Sequence, residues 1–179
     1  GHEVRVFCCD KDKNNLENYY VTPTLNLGKF CNKILEKNGV TPAKADESVL
    51  RKAIEGSDVV HLLIPFFLAR RAAKIAKELN KPITASFHCQ AENVTAHVFM
   101  MNFPLANTLV YKNFYKHVYQ YCDIIHYPTT FIRDVFEKET HKTNAVVISN
   151  GVNEQFYKDV PSNRISDKFT IVCTGRYSK

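Results

Sequence analysis

Short apolar runs alternate with amphipathic segments along most of the chain. The apolar runs, each predicted to form a β-strand, lie at residues 4–9, 58–65, 82–88, 123–127 and 144–148. Helices are predicted at 29–37, 46–55, 67–79, about 108–121 and 131–140. A helix between two strands returns the chain to the same end of the sheet, so such strands pair in parallel. The sequence therefore predicts an α/β fold, a parallel sheet with helices on both faces, whereas residues 14–27 are expected to be irregular.

The last of these strands is followed by a turn and then by a change in composition. Asn150 and Gly151 predict the turn, because Gly adopts positive φ without strain and Asn does so more readily than most residues. A polar segment that contains a proline comes next, and a further apolar run follows it. We expect residues 1–157 to form one domain and residues 158–179 to be a linker and the first strand of another.

The net charge of +6 is concentrated in the middle of the chain. Seven of the residues 59–122 are Lys or Arg, whereas two, Glu78 and Glu92, are acidic. A basic surface can bind nucleic acid or anionic lipid, or it can be an ordinary solvated face. The sequence carries no DNA- or RNA-binding motif, which argues against nucleic acid.

The cysteines do not have the spacing of a zinc site. They are Cys8, Cys9, Cys31, Cys89, Cys122 and Cys173, and no two of them form a C-x-x-C pair. Most lie in or beside apolar runs, where an unpaired Cys packs as a small hydrophobic residue. A reduced, cytoplasmic protein is therefore expected.

Polar residues follow several of the predicted strands. In parallel sheets, ligands bind beyond the carboxyl ends of the strands, where His61, His88, Thr129 and the Asn150-Gly151 turn are expected. His61 lies early in its strand and is predicted to be a hydrogen-bonded core residue. From the residues alone, His88 is more readily an ordinary loop histidine than a ligand-binding one.

Several short motifs resemble those of the retaining GT-B glycosyltransferases of family four (glycosyltransferase group 1). V-I-S-N-G-V-N resembles the V-I-P-N-G-V-D that ends the first domain of that family, with Ser149 in place of Pro and Asn153 in place of Asp. Gly175-Arg176 resembles the G-R near the start of the second domain. V-V-H-L-L-I-P resembles V-V-H-x-H-x-P, with Leu63 in place of the second His, and P-I-T-A-S-F-H resembles P-V-V-x-T-x-H.

The resemblance implies a Rossmann-like, acceptor-side N-terminal domain that lacks its first βα unit and is inactive without the donor-binding domain. It implies transfer of a hexosyl group, expected to be glucosyl, from a UDP-sugar to an acceptor hydroxyl, with no metal or other cofactor. His88 would then be the catalytic residue, hydrogen-bonded to the donor sugar, and Arg176 would bind the diphosphate. Thr129, Asn150 and Gly151 are further expected substrate-binding residues.

The motif F-H-x-Q-x-E-N resembles a subgroup that glucosylates diacylglycerol. This resemblance implies that Glu92 and Asn93 bind substrate and that the acceptor is a membrane glycerolipid. Basic residues that could dock on an anionic membrane are Arg70, Lys74, Lys77, Lys112 and Lys116. A solvated helix face explains them equally well on the sequence alone. The expected location is cytoplasmic, peripheral on the inner face of the cell membrane.

Two other functions are compatible with the sequence. The GT-B fold also serves nucleotide-sugar epimerases, which an acidic residue at the end of the first strand of the second domain would help to distinguish. The basic middle of the chain could instead belong to a non-enzymatic module that binds membrane surfaces.

Overall fold

The computed structural model describes residues 1–37 and 41–154. Its strands are β1 (Val6–Cys8), β2 (Tyr19–Val21), β3 (Val60–Leu62), β4 (Ile83–Ser86), β5 (Ile124–Tyr127) and β6 (Ala145–Val147). Its α-helices are α1 (Lys29–Lys37), α2 (Glu47–Glu55), α3 (Phe67–Glu78), α4 (Ala91–Thr95), α5 (Pro104–His117) and α6 (Thr130–Glu139). Short 3₁₀ helices lie at Lys11–Lys13, Ala96–Val98 and Tyr119–Tyr121. The chain divides into two units, Gly1–Ser149 and Asn150–Lys179. The domain boundary predicted after residue 157 lies outside the described residues.

The strands β3, β4, β5 and β6 form a parallel sheet in which each strand pairs with the next along the chain. Helices pack around this sheet, so the predicted α/β fold is confirmed. A second, two-stranded parallel sheet pairs β1 with β2. The strand β2 corrects the expectation of an irregular segment at 14–27. Its three residues are too few to show an alternating pattern in the sequence.

The outer strands of the four-stranded sheet are shorter and more exposed than the apolar runs predict. Among the described strands, β3 pairs with β4 alone and β6 pairs with β5 alone. An outer strand lacks the second row of backbone hydrogen bonds and the neighbouring side chains that bury a central strand. A continuous apolar run predicts a strand that is buried on both faces. This prediction is wrong for the following exposed residues: Val59, Leu63, Ile64, Val146, Val147 and Ile148.

The ends of several helices follow local signals in the sequence. Asp46 is the N-cap of α2 and Gly56 is its C-cap, so the helix predicted at 46–55 is confirmed to within one residue. Thr129 is the N-cap of α6. The helix α5 begins earlier than expected, at Pro104, because proline fits the first helical position, where no backbone N–H is needed.

The core lies between the sheet and the helices α3, α5 and α6. Alternate residues of β4 and its extension, Ile83, Ala85 and Phe87, are buried on this side. Phe87 stands at the centre of an aromatic cluster. Its ring centroid lies between 4.7 and 6.4 Å from those of Tyr111, Tyr119, Tyr127 and Phe136. Thr84 and Ser86 therefore face the opposite side of the sheet.

Candidate functional site

Polar side chains of three strands form a hydrogen-bonded chain on the sheet face opposite the aromatic cluster. His61 of β3 contacts both Thr84 (Nδ1 to Oγ1, 2.8 Å) and Ser86 (Nε2 to Oγ, 3.0 Å) of β4. Ser86 Oγ lies 3.3 Å from Nδ1 of His126 in β5. Nε2 of His126 lies 2.7 Å from the carbonyl oxygen of Ile148, just after β6. We call these five residues the histidine chain.

The end of the histidine chain sets the direction of every hydrogen bond in it. The carbonyl of Ile148 can only accept, so Nε2 of His126 carries a proton and, in the neutral ring, Nδ1 accepts one from the Ser86 hydroxyl. Ser86 has then used its proton and must accept from Nε2–H of His61. Nδ1 of His61 in turn accepts from the hydroxyl of Thr84. All partners are satisfied when both histidines are neutral.

The electrostatic surroundings favour a neutral His61. Burial lowers the pKa of His61, and the neighbouring His126 and His88 lower it further. The prediction that His61 is hydrogen-bonded is confirmed. The prediction that it belongs to the core is wrong, because the residue remains exposed at the outer strand β3, although its ring is partly desolvated where it contacts β4.

His88 lies just past the carboxyl end of β4, beside the histidine chain. Its side chain is exposed, and its ring centroid is 6.1 Å from that of His126, with the two rings nearly perpendicular at 76°. Within the described part of the chain, the His88 ring donates and accepts no hydrogen bond. Both ring nitrogens are therefore available to a ligand at this edge of the sheet.

The other residues predicted at strand ends have different positions. Thr129 follows β5, and its hydroxyl oxygen accepts a hydrogen bond from the backbone amide of Ile132, 3.2 Å away. Asn150 and Gly151 begin the second unit, and Gly151 has the predicted positive φ, at 72°. The predicted proximity of His88 and Asn150 in one cleft stays a prediction. Arg176 lies outside the described residues.

Glu92 and Asn93 lie on the short helix α4. Glu92 is half-buried and its carboxylate accepts a hydrogen bond of 2.6 Å from the hydroxyl of Tyr111 in α5. Burial, together with this bond, raises the pKa of Tyr111, so the phenol stays protonated and donates. Glu92 also lines a pocket of about 340 Å³ between α4, α5 and α6, which Glu139 lines as well. Asn93 is exposed.

The basic residues predicted to face a membrane differ in the contacts that their side chains make within the protein. The guanidinium of Arg70 donates to the side chain of Asn113 and lies 5.9 Å from the ring of Phe67, so it is fixed between α3 and α5. The exposed lysines form no ion pair with any acid in the described ranges; they are Lys74, Lys77, Lys112 and Lys116.

Ser86 and His126 are site residues to which the sequence did not lead. Both lie inside strands, whereas the sequence directs attention to the residues that follow strands. A signal was present, because polar Thr84 and Ser86 alternate with apolar residues in β4. The pairing of Ser86 with His126, however, depends on the register between β4 and β5, which the sequence does not contain.

In residues 1–37 and 41–154, no group of His, Cys, Asp and Glu side chains could hold a metal ion. No helix in these ranges is long and apolar enough to cross a membrane. The thiols of Cys89 and Cys122 are free, and burial raises their pKa to about 11 and about 12. They behave as the packed, protonated thiols that the sequence predicts.

One comparison with known proteins gives a match. The model of the family described as Glycosyltransferase Family 4 matches residues 1–156. The matched range includes His88 and the whole histidine chain. No curated protein and no solved structure matches the chain significantly.

Proposed function

We propose, since the chain belongs to Glycosyltransferase Family 4, that it is the acceptor-side domain of a retaining enzyme that transfers a glucosyl group from UDP-glucose to a hydroxyl of a membrane glycerolipid. The observation that carries this proposal is the family match over residues 1–156. The exposed His88 at the carboxyl end of β4 supplies a reactive group where ligands of parallel sheets bind.

His88 is the residue to which we assign the contact with the donor sugar. One ring nitrogen hydrogen-bonds a sugar hydroxyl, and the ring shields the positive charge that develops at the anomeric carbon. The bond from that carbon to the diphosphate oxygen breaks, and the bond to the acceptor oxygen forms on the same face. The acceptor proton passes to the leaving diphosphate oxygen. UDP is released, and the product keeps the anomeric configuration of the donor.

The remaining substrate contacts are assigned by the motifs. Arg176 binds the donor diphosphate, because a guanidinium stays charged and offers a planar pair of donors. Thr129, Asn150 and Gly151 contact substrate from the strand ends. The Thr129 oxygen accepts from a backbone amide, which leaves its O–H free to donate to a ligand. With the diphosphate bound in this way, the reaction needs no metal or other cofactor.

The histidine chain has a positioning role in this proposal. His126 packs against His88 on one side and donates to the carbonyl of Ile148 through Nε2. Ser86 fixes the opposite nitrogen of the same ring, so His126 cannot rotate without breaking a hydrogen bond. His88 therefore packs against a ring whose own orientation is fixed.

The lipid acceptor is proposed from the F-H-x-Q-x-E-N motif, and the basic surface supports a location at a membrane. Lys74, Lys77, Lys112 and Lys116 are exposed and lack acidic partners in the described ranges, so an anionic lipid surface on the cytoplasmic side is a fitting partner. Glu92 and Asn93 are assigned to the acceptor. The pocket that Glu92 lines between α4 and α5 supports this assignment for Glu92.

The test incubates the complete protein with UDP-glucose and vesicles that contain diacylglycerol. We expect glucosyl-diacylglycerol and UDP in equal amounts, with the anomeric configuration of the donor shown by proton NMR. An inverted product would contradict the retaining mechanism. Conversion of the UDP-sugar to an epimer without use of the acceptor would indicate the epimerase, and binding to vesicles without any turnover would indicate a non-enzymatic module.

A further inference from the structure

Exposed apolar residues are concentrated between the end of α4 and the middle of α5. They have large side chains that face solvent, and we call them the apolar tip: Val98, Phe99, Met100, Met101, Phe103, Leu105 and Leu109. Phe99 is 97% exposed, and Phe103, Leu105 and Leu109 are each at least 60% exposed. Exposed apolar residues are ordinary when single, but a concentration of this kind marks a binding surface.

Hydrogen bonds within the protein hold the apolar tip in its exposed form. The hydroxyl of Thr95 contacts Asn107 (2.6 Å), and the amide of Asn107 donates to the carbonyl of Met101 (2.8 Å). The backbone N–H of Met100 donates to Thr95 (2.8 Å). Phe99 has a left-handed backbone conformation, with φ of 60°, which is unfavourable for a bulky residue. These polar groups are thus paired within the protein, whereas the large apolar side chains of the segment face solvent.

The apolar tip continues into a basic surface along α5. Leu105, Leu109, Lys112 and Lys116 are spaced by four, three and four residues, so they share one face of the helix. Lys112 and Lys116 open onto a pocket of about 590 Å³ that Lys138 and His141 also line. The acid in this pocket is Glu139, whose carboxylate accepts a hydrogen bond from Thr108.

The basic residues of α3 adjoin the same surface. Burial lowers the pKa of His117, and the charges of Arg70, Lys116 and Lys74 lower it further. The guanidinium of Arg70 in α3 donates a hydrogen bond to the side chain of Asn113 in α5, which is next to Lys112 in the sequence, so basic residues of the two helices lie near each other. Apolar side chains at one end and cations beside them match a bilayer, which has an apolar interior beneath a layer of anionic head groups.

We infer that the apolar tip inserts into the interface of an anionic lipid bilayer while Lys112, Lys116 and Lys138 contact the head groups. This inference deepens the proposed function by naming the segment that enters the membrane, and it rests on the proposed function only for the identity of the acceptor. Charge complementarity selects lipid over a second copy of the chain, because two copies facing each other through this surface would bring their lysines together.

The chain contains no tryptophan, so Phe99→Trp gives a single fluorescent probe at the tip. The experiment mixes this variant with phosphatidylcholine vesicles, with and without phosphatidylglycerol, that carry brominated acyl chains. We expect a blue shift and quenching with the anionic vesicles, both reduced by salt. Tyr19→Trp, on the two-stranded sheet, is the matched control and is expected to show neither. Unchanged Phe99→Trp emission with all vesicles would overturn the inference, as would a blue shift without vesicles that grows with protein concentration.

Loss variants separate this inference from the proposed reaction. The double variant Phe99→Ser, Phe103→Ser should reduce binding to anionic vesicles by at least about tenfold, since two apolar groups no longer leave water. Transfer to a water-soluble, short-chain diacylglycerol, measured with the complete protein, should be unchanged by the two substitutions. Unreduced vesicle binding would contradict the insertion alone, whereas absence of transfer to either acceptor in the unchanged protein would contradict the proposed function alone.

Discussion

The histidine chain and the apolar tip differ in where their side chains find partners. The polar side chains of the histidine chain are hydrogen-bonded within the protein, whereas the apolar side chains of the tip face solvent. In the histidine chain, each side-chain contact between polar atoms is 3.3 Å or shorter, and the partners lie on adjacent strands. In the apolar tip, hydrogen bonds join Thr95, Met100, Met101 and Asn107, whereas the large apolar side chains face solvent and none of the described residues covers them. The first region is complete within the domain, and the second requires something outside it.

This difference separates two roles in the same domain. A set of polar groups that fix one another provides a constant geometry beside His88, which a catalytic contact needs. An exposed apolar surface contributes favourable free energy only when a binding partner removes it from water. We therefore propose that the chemistry takes place at the carboxyl end of β4 and that the start of α5 attaches the protein to the membrane.

The largest expected effect is a difference in stability between two Phe→Ala variants, one in the core and one in the apolar tip. Phe136 is fully buried against the rings of Phe87, Tyr111 and Tyr119. Phe136→Ala should lower the free energy of unfolding by about 3–5 kcal/mol, because it leaves a cavity. Phe99→Ala should change it by less than about 0.5 kcal/mol, as surface substitutions do. Urea denaturation measures both, and equal losses would show that Phe99 packs on the protein.

Removing the central hydroxyl of the histidine chain should have the next largest effect. Ser86→Ala leaves Nε2 of His61 and Nδ1 of His126 without their partner, at a cost of about 1–3 kcal/mol in stability. Thr84→Val is the control, because it removes a hydroxyl at the end of the histidine chain and should lower the free energy of unfolding by less. The ¹⁵N NMR shifts of both rings should report Nε2–H tautomers before the change. Nδ1–H tautomers in the unchanged protein would contradict the assigned direction.

A smaller effect on stability is expected at a buried hydroxyl that, unlike those of the histidine chain, has no hydrogen-bond partner among the described residues. The hydroxyl of Tyr119 is buried and has no hydrogen-bond partner among the described residues. Tyr119→Phe should therefore raise the free energy of unfolding by about 1 kcal/mol. Tyr127→Phe is the matched control, because its hydroxyl lies 3.1 Å from Oγ1 of Thr143 and its loss should be destabilising. Thermal denaturation would contradict the account if both variants were less stable.

The smallest effect is a pH dependence of stability. The pKa of His61 is lowered in the fold, so the unfolded chain binds the proton more tightly. Its contribution to stability is complete above the unfolded pKa of about 6.5 and is lost as the pH falls below that value. His61→Asn should therefore make the free energy of unfolding depend less on pH between about 7.5 and 5.5. An unchanged pH dependence would show that His61 is not the group responsible.

The sequence was sufficient for features that depend on neighbouring residues. The alternation of apolar runs and helices gave the parallel sheet, the helix predicted at 46–55 agrees with α2 to within one residue, and Gly151 has the positive φ that the Asn150-Gly151 pair predicts. These features follow from backbone preferences within a few residues. They do not depend on which elements pack together.

The sequence was insufficient where distant elements meet. The contact of Ser86 with His126 depends on strand register, and the exposure of His61 depends on β3 being an outer strand. The aromatic residues of the middle segment look alike in the sequence. Packing divides them into buried Tyr111 and Phe114 and exposed Phe99 and Phe103.

The central claim is that His88 acts on substrate and not on the fold. The most direct measurement compares kcat and melting temperature for the complete protein and for its His88→Ala variant. Because the side chain is exposed, its loss leaves no buried cavity, and the melting temperature should not change. The lost contact to the transition state should lower kcat by about 100-fold or more. His2→Ala, another exposed histidine, should leave both values unchanged, and full turnover of His88→Ala would contradict the claim.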